Sequence, residues 1–287
     1  MKPGALTYFR AESVPRAIGL LVEGGMDAKV LAGGQSLVPM LNLRMVTAER
    51  LVDIGAIPAL KAWSEDHDEV RIGACITHEQ IQLGEVADPS NGLMPKVAAA
   101  IAYQAVRNRG TIGGSLALAD PSADWVTTTA ALGATIEWEG PDGPGSSPAE
   151  EFVAAAYTTQ LGMSDLLTGI RIPRLDPDAK WGTYKICRKT GEFAHAMAMV
   201  IRAPKTSRAF LGATDGAPIR LPHTEQVIGD LGDWQAAHAR ILSDAMDADL
   251  GASGRELADI QIWQSRTCLL RSVRMSFGVE ATQPEGA

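Results

Sequence analysis

Cysteine is scarce and scattered: Cys75, Cys187 and Cys268 are the only three in 287 residues, with no CxxC pair and no Cys-His grouping. That spacing excludes an iron–sulfur cluster or a structural zinc site built by this chain alone. Each thiol reads instead as a buried, inert side chain. The five histidines, His67, His78, His195, His223 and His238, are isolated from one another and offer no metal-ligand spacing. Apolar runs such as residues 97–102 are far too short to span a bilayer. The opening MKPGALTYFRAESV has no apolar core of a secretory signal, so a cytoplasmic location is expected. A P-loop and a G-x-S-x-G elbow are both missing, which removes support for NTPase and hydrolase readings. The nearest approach to a dinucleotide fingerprint, Gly143-x-Gly145, has Pro148 where the third glycine belongs, and no helix can start there. Basic residues do not gather in a patch, and the net charge is −8. Broad binding to nucleic acid or anionic membrane is therefore not expected.

What is present suits an ordinary soluble protein with room for two domains: 46% of residues are hydrophobic and 21% charged. Ser13 is placed to cap a helix over residues 14–22, which Gly24-Gly25 stops. Strands are expected at 29–32, 50–54, 69–76, 134–138 and 166–172. Thr77-His78-Glu79-Gln80 fits a capping box. Residues 93–106 read as one Ala-rich helix, and another opens at Pro121-Ser122 and runs to Leu132. The stretch 140–148, GPDGPGSSP, reads as an exposed turn. PRLDPD at 173–178 has the composition of a linker, giving domains 1–174 and 175–287. Beyond it come strands at 182–188, 194–202 and 207–213, then helices at 223–228, 234–246 and 255–277. The fold class is α+β, its second domain a three-stranded sheet with three helices.

Two stretches stand out, 29–44 (KVLAGGQSLVPMLNLR) and 111–125 (TIGGSLALADPSADW). Each ends an apolar run with Gly-Gly beside a hydroxyl. Glycine lets backbone approach a polyanion closely and tolerates left-handed geometry. Gly33, Gly34, Gln35, Ser36 and Leu37 supply five consecutive amides. Thr111, Gly114 and Ser115, with their neighbours, supply a second set and two hydroxyls. Asp124 is placed to accept from ribose hydroxyls, the role of carboxylates in dinucleotide folds. Taken together these features indicate a phosphate-bearing cofactor, and residue chemistry alone goes no further.

AGGQSLVPMLNLR and TIGGSLALADPSAD resemble the two FAD-binding motifs of the flavin-carrying medium subunits of molybdenum hydroxylases, the xanthine dehydrogenase and carbon monoxide dehydrogenase flavoprotein family. The similarity covers nearly the whole chain. It is greatest to separate-subunit bacterial forms, including those acting on N-heterocycles. It implies an N-terminal FAD domain of the vanillyl-alcohol-oxidase (PCMH) type, and YKICRKTGEFA resembles the opening of the family's C-terminal domain. Carried over residue by residue, it implies that Ala32, Gly33, Gly34, Gln35, Ser36 and Leu37 wrap the FAD pyrophosphate. Thr111, Gly114 and Ser115 would grip it from the other side and Asp124 would bind the ribose. Leu167 would lie near the adenine or flavin edge, and Lys185 near the isoalloxazine, where a cation stabilises reduced flavin. Neither a metal site nor a catalytic residue is implied on this chain. Three positions depart from the pattern: Ser115 replaces Asn or Asp, Leu118 replaces a frequent His, and Glu192 replaces Asp.

The implied function is electron transfer from [2Fe–2S] clusters on a small iron–sulfur partner to an external acceptor. A large partner with the molybdenum cofactor would hydroxylate a small molecule, an N-heterocycle, within a dimer of heterotrimers. A stand-alone FAD oxidase with its own substrate pocket is the alternative enzyme. A cofactor-free structural subunit is the non-enzyme alternative, against which the intact glycine turns argue.

Overall fold

The computed structural model describes residues 4–279. Its first layer is a small parallel sheet in which Arg50–Asp53 lies between Thr7–Arg10 and Ala28–Leu31. The helix Val14–Gly24 packs on it. Ser13 caps that helix as expected, its hydroxyl accepting from Arg16 N at 3.3 Å. The helix buries Ala17, Leu20 and Leu21 against Val52, Ile54 and Leu60.

A second sheet is antiparallel and five-stranded, with Leu166–Pro173 at its centre, between Glu69–Gly73 and Thr135–Gly140. A central strand shielded on both faces needs a nearly continuous apolar sequence, and LLTGIRIP supplies one. The edge beyond Thr135–Gly140 is Gly143–Pro148, paired from Gly140↔Gly143 to Thr135↔Pro148. This corrects the expectation of an exposed turn there. Glycine and proline argue against a central strand, but an edge strand needs only one row of hydrogen bonds and tolerates both. Gly145 is also required on steric grounds, because a Cβ there would stand 2.4 Å from the Trp138 indole.

The helix expected over 93–106 is interrupted. Leu93–Ala99 and Gln104–Arg107 are separate helices, and between them Ala102 takes the left-handed φ of 43°. Arg107 holds the break in place: its guanidinium donates to Ile101 O and Ala102 O at 2.9 Å each, and to Gln82 and Gln104 at 2.8 Å each. Leu93–Ala99, Ile112–Leu118 and Asp124–Ala131 cover one face of the five-stranded sheet. Their core holds Trp125, Phe152, Leu167, Ile170 and Ile172.

The third sheet is antiparallel, Lys180–Ile186, Ala196–Arg202 and Ser207–Gly212, extended by the two-residue strand Ile219–Arg220. Asp259–Ser276 lies along its first two strands. A Cβ on Gly182 would stand 1.9 Å from Ser272 O, so only glycine permits this approach. Pro222–Asp230 and His238–Ser253 complete the C-terminal helices. The second of these begins four residues later than expected and runs seven further, to a left-handed cap at Gly254. Asp249, buried, accepts from His223 N at 2.8 Å and Thr224 N at 2.9 Å and so caps the neighbouring helix. Asp124–Ala131 meets the C-terminal sheet, with Met199 and Phe210 entering the N-terminal core. Among the described residues, no helix is long and apolar enough to cross a membrane.

Candidate functional site

The strand Ala28–Leu31 runs into Ala32 and Gly33, and Leu37–Asn42 is a short helix that follows directly. Gly34 is left-handed at φ 73° and turns the chain between them. The amides of Gly33, Gly34, Gln35, Ser36 and Leu37 have no acceptor among the described residues. Ser36 occupies the cap position of Leu37–Asn42 without bonding to it, so its hydroxyl is uncommitted as well. Gln35 braces the turn, its Nε2 donating to Gly33 O at 3.1 Å. A row of unpaired N–H groups converging on one turn is an anion cradle, and FAD phosphates fit its chemistry.

The second glycine pair is built differently from the expected turn. Gly113 and Gly114 lie in the first turn of the helix Ile112–Leu118, capped by Thr111, whose hydroxyl accepts from Gly114 N at 3.0 Å. Ile112 N donates to Ile76 O, Gly113 N to Ala74 O and Ser115 N to Thr111 O, all at 3.0 Å. These amides hold the fold together and are not a second free set. The Ser115 hydroxyl remains available. Gly113 is demanded by packing, since a Cβ there would stand 2.6 Å from Ala74 O.

The two stretches meet. A Cβ on Gly33 would stand 2.0 Å from Arg109 O, and one on Gly114 would stand 3.7 Å from the Ala32 Cβ. Residues 76 and 82 positions apart thus share one wall, which the sequence suggested only through their similar composition. Gly110, which shares this contact, carries no separate signal in the sequence.

Asp124 opens the helix Asp124–Ala131 and pairs with Lys185 of the strand Lys180–Ile186. Lys185 Nζ donates to Oδ1 at 2.9 Å and Oδ2 at 3.0 Å, and also to Ala100 O at 3.2 Å. The ammonium thus faces one carboxylate and one backbone carbonyl. The side chains are 17% and 15% exposed. Burial pushes the Asp124 carboxyl above the usual range, against the opposing pull of Lys185. Lys185, which the resemblance places near the isoalloxazine, is here half of a largely buried pair with Asp124. The carbonyl of Ala100 was unforeseeable, because a backbone acceptor leaves no residue-type signal. Leu167 is buried in the core with Ile112 and Leu116, next to a β-bulge.

Trp125, adjacent to Asp124, donates from Nε1 to His78 Nδ1 at 3.0 Å. Burial, aided by the Arg107 charge, pushes His78 down from 6.5 to about 4. Unfolded chains take up that proton first. The stability gained by keeping His78 neutral is thus complete above pH 6.5 and is lost as the pH falls toward 4, by about 3 kcal/mol in all. Urea unfolding between pH 7.5 and 4.5 should show this loss, and His78→Asn should flatten it. An unchanged slope in the variant would assign the acid sensitivity elsewhere.

Cys75 and Cys268 are both pushed up to about 12 by burial, as expected of inert thiols. Among the described residues no group of three His, Cys, Asp or Glu side chains could hold a metal ion. A cleft of about 610 Å³ lies elsewhere, lined by Val14, Leu60, Arg71, Glu137 and Trp138. Two of its charges are paired, Arg71 Nε lying 2.7 Å from Glu137, which also faces Arg171 Nε at 2.9 Å. The free amides, not this cleft, mark the site.

Residues 4–175 match the family described as the FAD binding domain in molybdopterin dehydrogenase. The carbon monoxide dehydrogenase medium chain of Hydrogenophaga pseudoflava is 37% identical over 201 residues, 70% of each chain. The caffeine dehydrogenase subunit beta of Pseudomonas sp. strain CBB1 is 31% identical over 266 residues, 91% of this chain and 87% of the relative. Among solved structures, carbon monoxide dehydrogenase from Hydrogenophaga pseudoflava superposes with a TM-score of 0.87 at 30% identity, covering 97% of this chain and 99% of that one. Quinoline 2-oxidoreductase from Pseudomonas putida 86 gives 0.86 at 28% identity with the same coverage. The chain belongs to the FAD-binding family of molybdopterin dehydrogenases and is an oxidoreductase subunit of the medium, flavin-carrying kind.

Proposed function

We propose that this chain transfers electrons from [2Fe–2S] clusters of a small partner subunit to an external acceptor. A large partner subunit carries the molybdenum cofactor and hydroxylates an N-heterocycle, the complex being a dimer of heterotrimers in the cytoplasm. The observation that carries this reading is the row of unpaired amides at Gly33–Leu37, set against the second glycine pair in a chain of this family. FAD, when bound, supplies the step between paired and single electrons. The chain's three separated cysteines favour clusters on another polypeptide.

In this reading Ala32, Gly33, Gly34, Gln35, Ser36 and Leu37 hold the pyrophosphate. Thr111 shapes the opposite wall, to which Gly114 allows approach and Ser115 adds a hydroxyl. Asp124 and Lys185 join residues 1–174, the FAD domain, to 175–287. Their mutual neutrality presents polar atoms without adding net charge beside the flavin. Leu167 closes the apolar side.

Purification of the native complex from its host tests the reading. FAD, iron and molybdenum are expected together, with two partner polypeptides. Flavin without iron or molybdenum would overturn it.

A further inference from the structure

His78 begins the helix His78–Gln82 and is 5% exposed. Its backbone N–H donates to Gly110 O at 3.0 Å, and its neighbour Thr77 pairs with Thr111. Residues 74–78 thereby form the seat of the second glycine pair. The imidazole lies against Gly110, where a Cβ would stand 2.8 Å from His78 Nε2. Gly110 Cα is in turn part of the surface that Gly33 packs on, 2.9 Å from the position of a Gly33 Cβ. The ring is separated from the contact between the two stretches by the thickness of one glycine.

An indole N–H can only donate. The bond from Trp125 therefore makes Nδ1 the acceptor and places the proton of the neutral ring on Nε2. That Nε2–H has no acceptor among the described residues, and it is not among the sealed polar atoms without a partner, so it still meets solvent. A donor that no described protein group serves, in a ring only 5% exposed, is open to an acceptor on a bound ligand. A neutral donor of fixed tautomer, beside the glycine contact that walls a phosphate cradle, has an evident use.

We propose that His78 is a binding residue of the flavin site, its Nε2–H donating to a phosphate oxygen of FAD. This rests on the reading that FAD occupies the cradle at Gly33–Leu37. Trp125 is the positioning residue that keeps the proton on Nε2.

The full-length chain, freed of flavin, is titrated with FAD by fluorescence quenching, with ADP as a competitor that carries the adenosine and the diphosphate without the isoalloxazine. His78→Asn keeps an acceptor for Trp125 and removes the Nε2–H. His78→Gln places an amide N–H near Nε2 and gives up the acceptor. Loss of one hydrogen bond to a charged group predicts that both dissociation constants rise about tenfold or more in the Asn variant. In the Gln variant, which keeps a donor, the rise is less than about threefold. Urea midpoints are measured alongside. A wild-type chain that takes up neither FAD nor ADP overturns the cradle itself. Wild-type binding with any order other than Gln tighter than Asn overturns the role of His78 alone. Losses that merely track the urea midpoints overturn it too, making the ring a brace.

Discussion

Gly33→Ala is expected to abolish FAD retention by the full-length chain and to lower its stability by about 3 kcal/mol, the upper range for forced overpacking. The added methyl would stand 2.0 Å from Arg109 O, 2.7 Å from Arg109 C and 2.9 Å from Gly110 Cα. All three are backbone atoms, so no rotamer change relieves the contact. The first stretch must move away from the second, and the cradle loses its wall. Gly19→Ala is the internal control: it lies inside the helix Val14–Gly24 with nothing within 4 Å of a new Cβ. There alanine should be neutral or stabilise by about 0.5–1 kcal/mol through backbone entropy. Flavin content after purification and urea unfolding read both effects. Wild-type FAD content in Gly33→Ala would mean that the cofactor does not depend on contact between the two stretches.

Much of this fold was legible because local chemistry and tertiary demand agree. Ser13 and the Thr77–Gln80 capping box act where their side chains indicated. The Leu166–Pro173 strand needed only its apolar run. The misread places are those where a distant group overrides a local preference. Ala102 would continue a helix but for Arg107 pulling two carbonyls out of line. Gly143–Pro148 has turn composition, yet Thr135–Gly140 offers a partner edge. The second glycine pair read as a turn with free amides, and only the facing segment at Ala74–Ile76 shows where two of them go. The site was legible as residue types but not as pairings. Asp124 and Lys185 were each assigned to a ligand, and nothing in the spacing of residues 61 positions apart said that they bind one another.

That pairing leads to the second large effect. Lys185→Met should cost about 3–5 kcal/mol at pH 7.5, because it strands a carboxylate in a site that had been neutral. Asp124→Asn should cost a comparable amount by leaving the ammonium with only Ala100 O and a neutral amide. The double variant Asp124→Asn/Lys185→Met removes both charges and should cost less than the sum of the two single changes. The gap would be a coupling energy of about 1–3 kcal/mol. The two single variants also differ in pH dependence. Burial already raises the Asp124 carboxyl, and Lys185 is the group that opposes this. Without Lys185 the carboxyl rises further, so the folded state holds its proton more tightly than the unfolded chain does. The penalty of Lys185→Met is therefore largest at high pH and shrinks as the pH falls toward the ordinary carboxylate range. The wild-type pair shows the same sign more weakly, because Lys185 opposes the rise. Urea unfolding of the four proteins at pH 7.5 and 5.5 measures both quantities. Additive costs together with a flat pH response in Lys185→Met would show that the two side chains, though 2.9 Å apart, are screened from one another. They could then no longer be what holds the C-terminal sheet to the helix that carries Asp124.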